Sequence, residues 1–372
     1  MPVTLGFMSV KTQFDNLGDA LINKELAELV AARVPLTMDL TRSPKSFHAT
    51  MAVEQLPNTR LISSGRGKML VQMARLAIAG NRCYFFLNPG GLGGGVGNST
   101  KAFATSLIYN CILFALRLAG VRVCLVGVSF EQMTWRERLV TRLRRKICHS
   151  FAVRDEVSAD YLDRIGIPAD EVVPDLSFNL YQKPHSYDIP RGIVSAFSFR
   201  TDHGLPVALL AEYAEKIIAA SPAESQHAVL SQVGRDSQGM RELHTHLCRR
   251  FGEWRVHYVE VESSLDTACQ WYSKIERIYS NRLHALLLAA SCGTLPIAVL
   301  PSRRHVKVRA LFDDLGLSSN VVDLENDSGN APRELSWTMG NLEYQRLKSY
   351  FDRLLLDGHA SASASNIPAS QA

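Results

Sequence analysis

The stretch Ser280-Asn281-Arg282-Leu283-His284-Ala285-Leu286-Leu287-Leu288-Ala289-Ala290 decides the fold. Arg277-Ile278-Tyr279-Ser280 reads as the end of a buried strand, and Leu283 to Ala290 is too apolar for a surface helix. Arg282 and His284 therefore lie at the carboxyl edge of a sheet. In open α/β sheets that edge is where ligands bind, because strand ends and helix N-termini converge there on a crevice. The plain alternative is a buried arginine and histidine satisfied by neighbouring carbonyls.

Outward from this stretch, strand and helix patterns alternate through both halves of the chain. Strands are expected at 4–10, 36–40, 83–88, 121–129 and 150–154, with helices at 18–31, 67–79, 101–119, 134–147 and 156–165. Polar residues and two prolines in 183–192 break the pattern and predict a linker. The alternation resumes with strands at 193–199, 227–233, 256–261, 276–280 and 295–300, each followed by a helix. Such alternation predicts parallel sheets covered on both faces. A last helix over 341–356 is expected to pack back across the domains, and 359–372, rich in Ser and Ala, reads as a disordered tail. The expected units are thus 1–182, the linker, 193–358 and the tail.

With 372 residues the chain is long enough for two ordinary domains, and 46% hydrophobic with 21% charged residues is a globular composition. No signal peptide is expected, and the longest apolar runs, 107–118 and 283–290, fall short of the ~18 residues that span a bilayer. A cytoplasmic protein is the resulting expectation. Seven scattered cysteines read as reduced core residues without metal or redox spacing. His244, His246 and Cys248 are expected not to form a metal site, since helical residues two apart face away from each other.

Three further segments carry the chemistry. Asn16-Leu17-Gly18-Asp19 is a turn opening a helix; Arg154-Asp155-Glu156-Val157-Ser158 is a charged turn after a strand; Val173-Pro174-Asp175 follows it. The glycine-rich run from Asn88 to Lys101 fits neither the dinucleotide fingerprint nor the phosphate-binding loop, so it reads as a loop lining the cleft. With the Arg-Leu-His helix start at 282–284, this ordered set resembles the polysaccharide pyruvyl transferase family over about 5–317. The resemblance implies a GT-B-like α/β architecture, two Rossmann-like domains with parallel sheets facing across a cleft. It also implies transfer of pyruvyl from phosphoenolpyruvate to a sugar of a surface or exopolysaccharide precursor, forming a ketal without a cofactor or metal.

Within that resemblance, phosphoenolpyruvate binding falls to Arg154, Arg282, His284, Arg304 and Lys307. The planar guanidinium fork suits both phosphate and carboxylate. Arg154 could instead serve a salt bridge or cap within its own turn. Catalysis falls to His284, Arg154 and Lys307: His284 is the expected acid for the enol methylene, and Lys307 or Arg304 would neutralise the leaving phosphate. Asn16, Asp19, Gly91, Gly93 and Gly94 are expected on the acceptor side, although capping alone would also select Asn16 and Asp19.

The helix over 134–146 sets six cations against Glu137, and its interleaved Trp135, Leu139, Val140 and Leu143 would suit an anionic membrane surface carrying a lipid-linked oligosaccharide. A solvated helix face is the simpler explanation. Nucleic acid is not an expected partner, for want of a binding motif. Two other functions remain open to the sequence: a GT-B glycosyltransferase using a nucleotide-sugar, and a non-catalytic partner in polysaccharide assembly.

Overall fold

The computed structural model describes residues 2–62, 65–95, 99–182, 190–201, 206–301, 306–324 and 332–356, the side chains of 306 and 307 excepted. Two sheets organise it. The first contains β1 (Thr4–Ser9), β2 (Leu36–Asp39), β3 (Thr59–Ile62), β4 (Arg82–Phe86), β5 (Gly90–Leu92), β6 (Arg122–Phe130), β7 (Ser150–Val153) and β8 (Glu171–Val172). Its order is β3-β2-β1-β4-β6-β7-β8, with β5 continuing the β4 side of β6. The second contains β9 (Ile193–Ser198), β10 (Gln226–Ser231), β11 (Val256–Glu260), β12 (Ile275–Ser280), β13 (Leu295–Leu300) and β14 (Val321–Asp323), ordered β11-β10-β9-β12-β13-β14. Every pairing within the sheets is parallel.

The reason lies in the strand sequences. Residues 123–130 of β6 are all buried, as a parallel strand covered on both faces requires. Parallel neighbours need a crossover connection, and helices such as Leu17–Ala31 between β1 and β2 supply it. At Gly127 the register of β6 against β7 shifts and φ is +72°. A Cβ there would meet the Leu176 side chain at 2.8 Å, so only glycine admits both the bulge and the segment that follows Asp175.

Three segments depart from, or add to, what the sequence suggests. The segment Ser43 to Arg60, for which no strand or helix was expected, contains the helix Lys45–Met51, the 3-10 turn Val53–Gln55 and the start of β3. The glycine-rich loop is in part a strand, since Gly90, Gly91 and Leu92 pair with Val128, Ser129 and Phe130. His244 and Cys248 do touch, at 3.2 Å, because they are one helical turn apart; His246 faces Glu215 instead. Among the described residues no group of three His, Cys, Asp or Glu is placed to hold a metal ion.

The last helix, Trp337–Leu355, packs on the first sheet's side. Phe351 stacks on Phe86, Tyr350 bonds Ser150 at 2.6 Å, and Arg33 donates to Asp352 at 2.7 Å. Near its start, Asn341 donates to the Tyr181 carbonyl, and Gly340 lies so close to Tyr181 that no Cβ would fit. The predicted tail at 359–372 and most of the predicted linker lie outside the described residues.

Candidate active site

β7 ends at Val153, paired with Val128, and the Arg154 N–H continues the ladder to the Val128 carbonyl at 2.9 Å. That register sets Arg154 beside Ser129, whose Oγ accepts from Nη2 at 3.2 Å. Asp155, next along, spends its carboxylate capping the helix Glu156–Arg164 through the Ser158 N–H at 2.7 Å. The guanidinium of Arg154 pairs not with its own turn but with Asp175, Nη1 to Oδ2 at 2.9 Å.

The second domain completes this group. β12 ends at Ser280, and the helix Leu283–Ser291 starts with His284 in its first turn. The Nε2 atom of His284 lies 3.2 Å from Arg154 Nη1 and 3.5 Å from Asp175 Oδ2. Asp175 is fully buried. Burial alone would raise its pKa, but the Arg154 guanidinium, His284 and the Ser177 N–H together outweigh it and hold the carboxyl well below the usual carboxylate range. The site is therefore an ionised carboxylate holding an arginine and a histidine from opposite domains. Asp175 is the member that inspection of single motifs missed as a site residue; the Pro-Asp element was its only signal.

The other face of the imidazole meets the start of the helix Leu17–Ala31. A Cβ on Gly18 would come within 2.7 Å of His284 Nδ1, so glycine is what allows the ring to lie there. The polar side chains of the surrounding turn bond within it. Asn16 accepts from the Gly18 N–H and donates to Asp19 Oδ1 at 3.1 Å. Asp19 Oδ2 accepts from the Gln13 N–H at 3.1 Å and from Thr12. The same turn joins the two domains: Asn16 bridges Val233, the Leu17 N–H donates to the Gln232 carbonyl, and the Gly234 N–H donates to the Asp15 carbonyl at 3.0 Å. Asn16 and Asp19 thus shape the turn that seats His284.

Arg282 forms a parallel arrangement within the second domain. It pairs with the buried Asp236, whose other oxygen accepts from the Thr201 N–H at 3.1 Å. Burial lowers the Arg282 pKa, Asp236 opposes that, and the nearby Arg200 and Arg235 reinforce it. Asn281 bonds the Arg200 backbone in both directions, at 2.6 and 3.3 Å, fixing the turn.

Of the glycines, Gly91 pairs with Ser129, which bonds Arg154, and its Cβ position is open. Gly93 and Gly94 instead close on Glu131, with φ of +97° and +70°. Arg304 and Arg303 lie outside the described residues, and the Lys307 side chain is likewise not described.

A family model for polysaccharide pyruvyl transferase matches residues 16–303, from the domain-joining turn past the Arg-Leu-His helix. The chain belongs to the polysaccharide pyruvyl transferase family. Among solved structures, Anabaena Alr3699/HepE in complex with UDP and glucose matches with a TM-score of 0.57 at 12% identity, over 96% of this chain and 100% of that one. S. aureus MnaA with UDP matches at 0.52 and 11%, covering 100% of each chain. The Neisseria meningitidis UDP-GlcNAc 2-epimerase bound to UDP-GlcNAc matches at 0.51 and 11%, over 95% and 94%. At such identities these matches show the fold, a GT-B-like pair of α/β domains. No curated protein matches the sequence. The matched range includes Arg154, Asp175 and His284.

Proposed function

We propose that this family member transfers pyruvyl from phosphoenolpyruvate to two hydroxyls of a sugar in a surface or exopolysaccharide precursor, forming a ketal. The observation that carries the reading is the Arg154–Asp175–His284 cluster, assembled from both domains in a chain of this family. In the proposed reaction His284 delivers a proton to the enol methylene, and C2 becomes electrophilic. One sugar hydroxyl attacks C2, the C2–O bond to phosphate breaks, and a second hydroxyl closes the ring. The two hydroxyls release two protons: one restores His284 and the other leaves with phosphate.

The surroundings suit those roles. Asp175 lies close enough to stabilise the imidazolium and, with Ser129, fixes the Arg154 fork. The remaining N–H groups of Arg154 would meet one anionic group of the donor. Arg282 Nε is buried without a hydrogen-bond partner among the described residues, and a donor oxygen would satisfy it. Lys307 and Arg304 are assigned to the departing phosphate, and the open face of Gly91 to the acceptor.

The test is incubation of the protein with phosphoenolpyruvate and candidate oligosaccharides, reading phosphate release and a mass gain of pyruvate less water. Donor thermal-shift screening completes it. Stabilisation by nucleotide-sugars alone, with no ketal product, would overturn the proposal in favour of a glycosyltransferase.

A further inference from the structure

The helix Thr100–Leu118 is apolar on its outward side. Ile108, Ile112, Phe114 and Leu118 are 63%, 40%, 51% and 73% exposed, while Asn110, Leu113 and Leu116 take the inward face. Ala104, Cys111 and Ala115 are exposed as well, so the stripe runs most of the helix length at three- and four-residue spacing. Trp135, Leu139 and Leu143 extend it on the helix Trp135–Ile147, and Val71 and Ile78 lie exposed on the helix Arg66–Ile78. The first two helices are tied side by side, since Asn110 donates to the Val140 carbonyl and accepts from Arg144, and Phe103 packs on Trp135.

The charge on this face is one-sided. The three helices hold a single acid, Glu137, whose carboxylate caps Thr134. Exposed cations rim the stripe, among them Lys68, Arg75, Lys101, Arg117, Arg142 and Lys146. Not all of the basic residues foreseen for a membrane face the solvent: Arg144 turns inward to Asn110, and Arg145 pairs with Asp170.

We propose that this face docks the protein on an anionic lipid surface, with the stripe of Thr100–Leu118 lying in the headgroup boundary. Aliphatic side chains bordered by Arg, Lys and Trp match that boundary, where apolar stems sink and cationic heads meet lipid phosphate. A second copy fits less well, because two-fold pairing would set one cationic rim against another with no acids between them. The helix lies along the surface instead of crossing it: β5 before it and β6 after it pair with each other, and its inward face is packed. Both helices begin beyond the carboxyl ends of β5 and β6, the sheet edge that also carries Ser129 and Arg154. Docking would therefore present the cleft edge to lipid-borne material, and it stands whatever donor the cleft uses.

Flotation of the full chain with phosphatidylcholine vesicles, with and without phosphatidylglycerol, tests this. The parent is expected to float with the anionic vesicles and to lose that binding as salt rises. Substituting Ile108→Ser, Ile112→Ser and Leu118→Ser together should abolish flotation while melting and cleft activity persist, since these side chains are exposed. Arg142→Ala with Lys146→Ala should weaken binding on the order of tenfold. Anionic vesicles should also slow alkylation of Cys111 by a water-soluble maleimide. Absence of parental flotation, equal flotation of the triple variant, or unchanged Cys111 labelling would overturn the proposal. So would a concentration-dependent dimer abolished by the triple variant without any vesicle binding.

Discussion

In the first domain Arg154 follows the end of β7 and pairs with the buried Asp175; in the second, Arg282 stands two residues beyond β12 and pairs with the buried Asp236. Both arginine side chains are 11% exposed. The difference is what each aspartate faces next. Asp236 turns back to the Thr201 N–H of its own domain, whereas the Oδ2 atom of Asp175 looks across to His284. In the proposed reaction the same local device meets the donor in both domains but serves proton transfer in only one. What converts it is a single histidine brought in by the opposite domain, seated against Gly18.

The strongest way to break this contrast is to remove the histidine. His284→Asn should lower turnover by on the order of 10² to 10⁴ while donor affinity falls much less, because a general acid acts mainly in the transition state. Near-parental turnover in a pyruvyl-transfer assay would return the Arg154–Asp175 pair to the status of its counterpart.

Truncating the arginines comes next. Arg154→Ala and Arg282→Ala each leave a buried carboxylate unpaired, and both should lose about 3 to 5 kcal/mol of unfolding free energy. Donor affinity measured by calorimetry on the folded fraction should fall in both variants if both arginines grip phosphoenolpyruvate. Turnover should separate them further, since only Arg154 touches His284. Arg154→Lys should rescue poorly, because one ammonium cannot reach Asp175 and Ser129 in the fork geometry.

The third effect is a pH dependence confined to one side of the comparison. The native pKa of Asp175 lies below its unfolded value, so its stabilising contribution is complete above about pH 4 and is lost as pH falls below that. Denaturant unfolding of the parent should therefore weaken in acid. In Asp175→Asn, already less stable at neutral pH, that part of the acid slope should vanish. An identical slope in both proteins would mean that the carboxyl is not held ionised by its partners.

How much of this was legible beforehand follows from the physics of each element. Strands buried on both faces are continuous apolar runs, so β4 and β6 declare themselves, β12 is read from its buried end Ile278-Tyr279-Ser280, and parallel pairing follows from the helices between the strands. β5 could not, because Gly90-Gly91-Leu92 has no side-chain period to read and is a strand only through β6. The helix Lys45–Met51 is too short for a clear period. Arg154, Arg282 and His284 were visible as strand-end residues, but their grouping with Asp175 depends on contacts between segments far apart in sequence. The Asn16–Asp19 turn reads as a possible ligand site in sequence, and its backbone bonds to Gln232, Val233 and Gly234 of the other domain could not be read there. The outward stripe at Ile108, Ile112 and Leu118 was hidden for a related reason: an apolar helix reads as core until its neighbours are known.

The smallest effect tests the contact that makes the two arginine pairs different. Gly18 lies in the first turn of the helix Leu17–Ala31, where an alanine is compatible with the helical backbone, so Gly18→Ala should change stability by only about 1 kcal/mol in either direction. The added methyl nevertheless points at the imidazole, within 2.7 Å of Nδ1 and 2.9 Å of Cβ in the present geometry. The ring must move, and its alignment with Arg154 and Asp175 must change with it. Arg282 and Asp236 are built from other segments and should be undisturbed. We expect turnover to drop by on the order of tenfold or more with donor binding largely retained, since displacement by a fraction of an ångström is costly for proton transfer and cheap for affinity. A crystal structure of the variant should show a displaced imidazole beside an unchanged Arg282–Asp236 pair. If turnover instead stayed at the parental level despite that displacement, His284 would be a packing residue of the domain junction, and the two arginine–aspartate pairs would be equivalent after all.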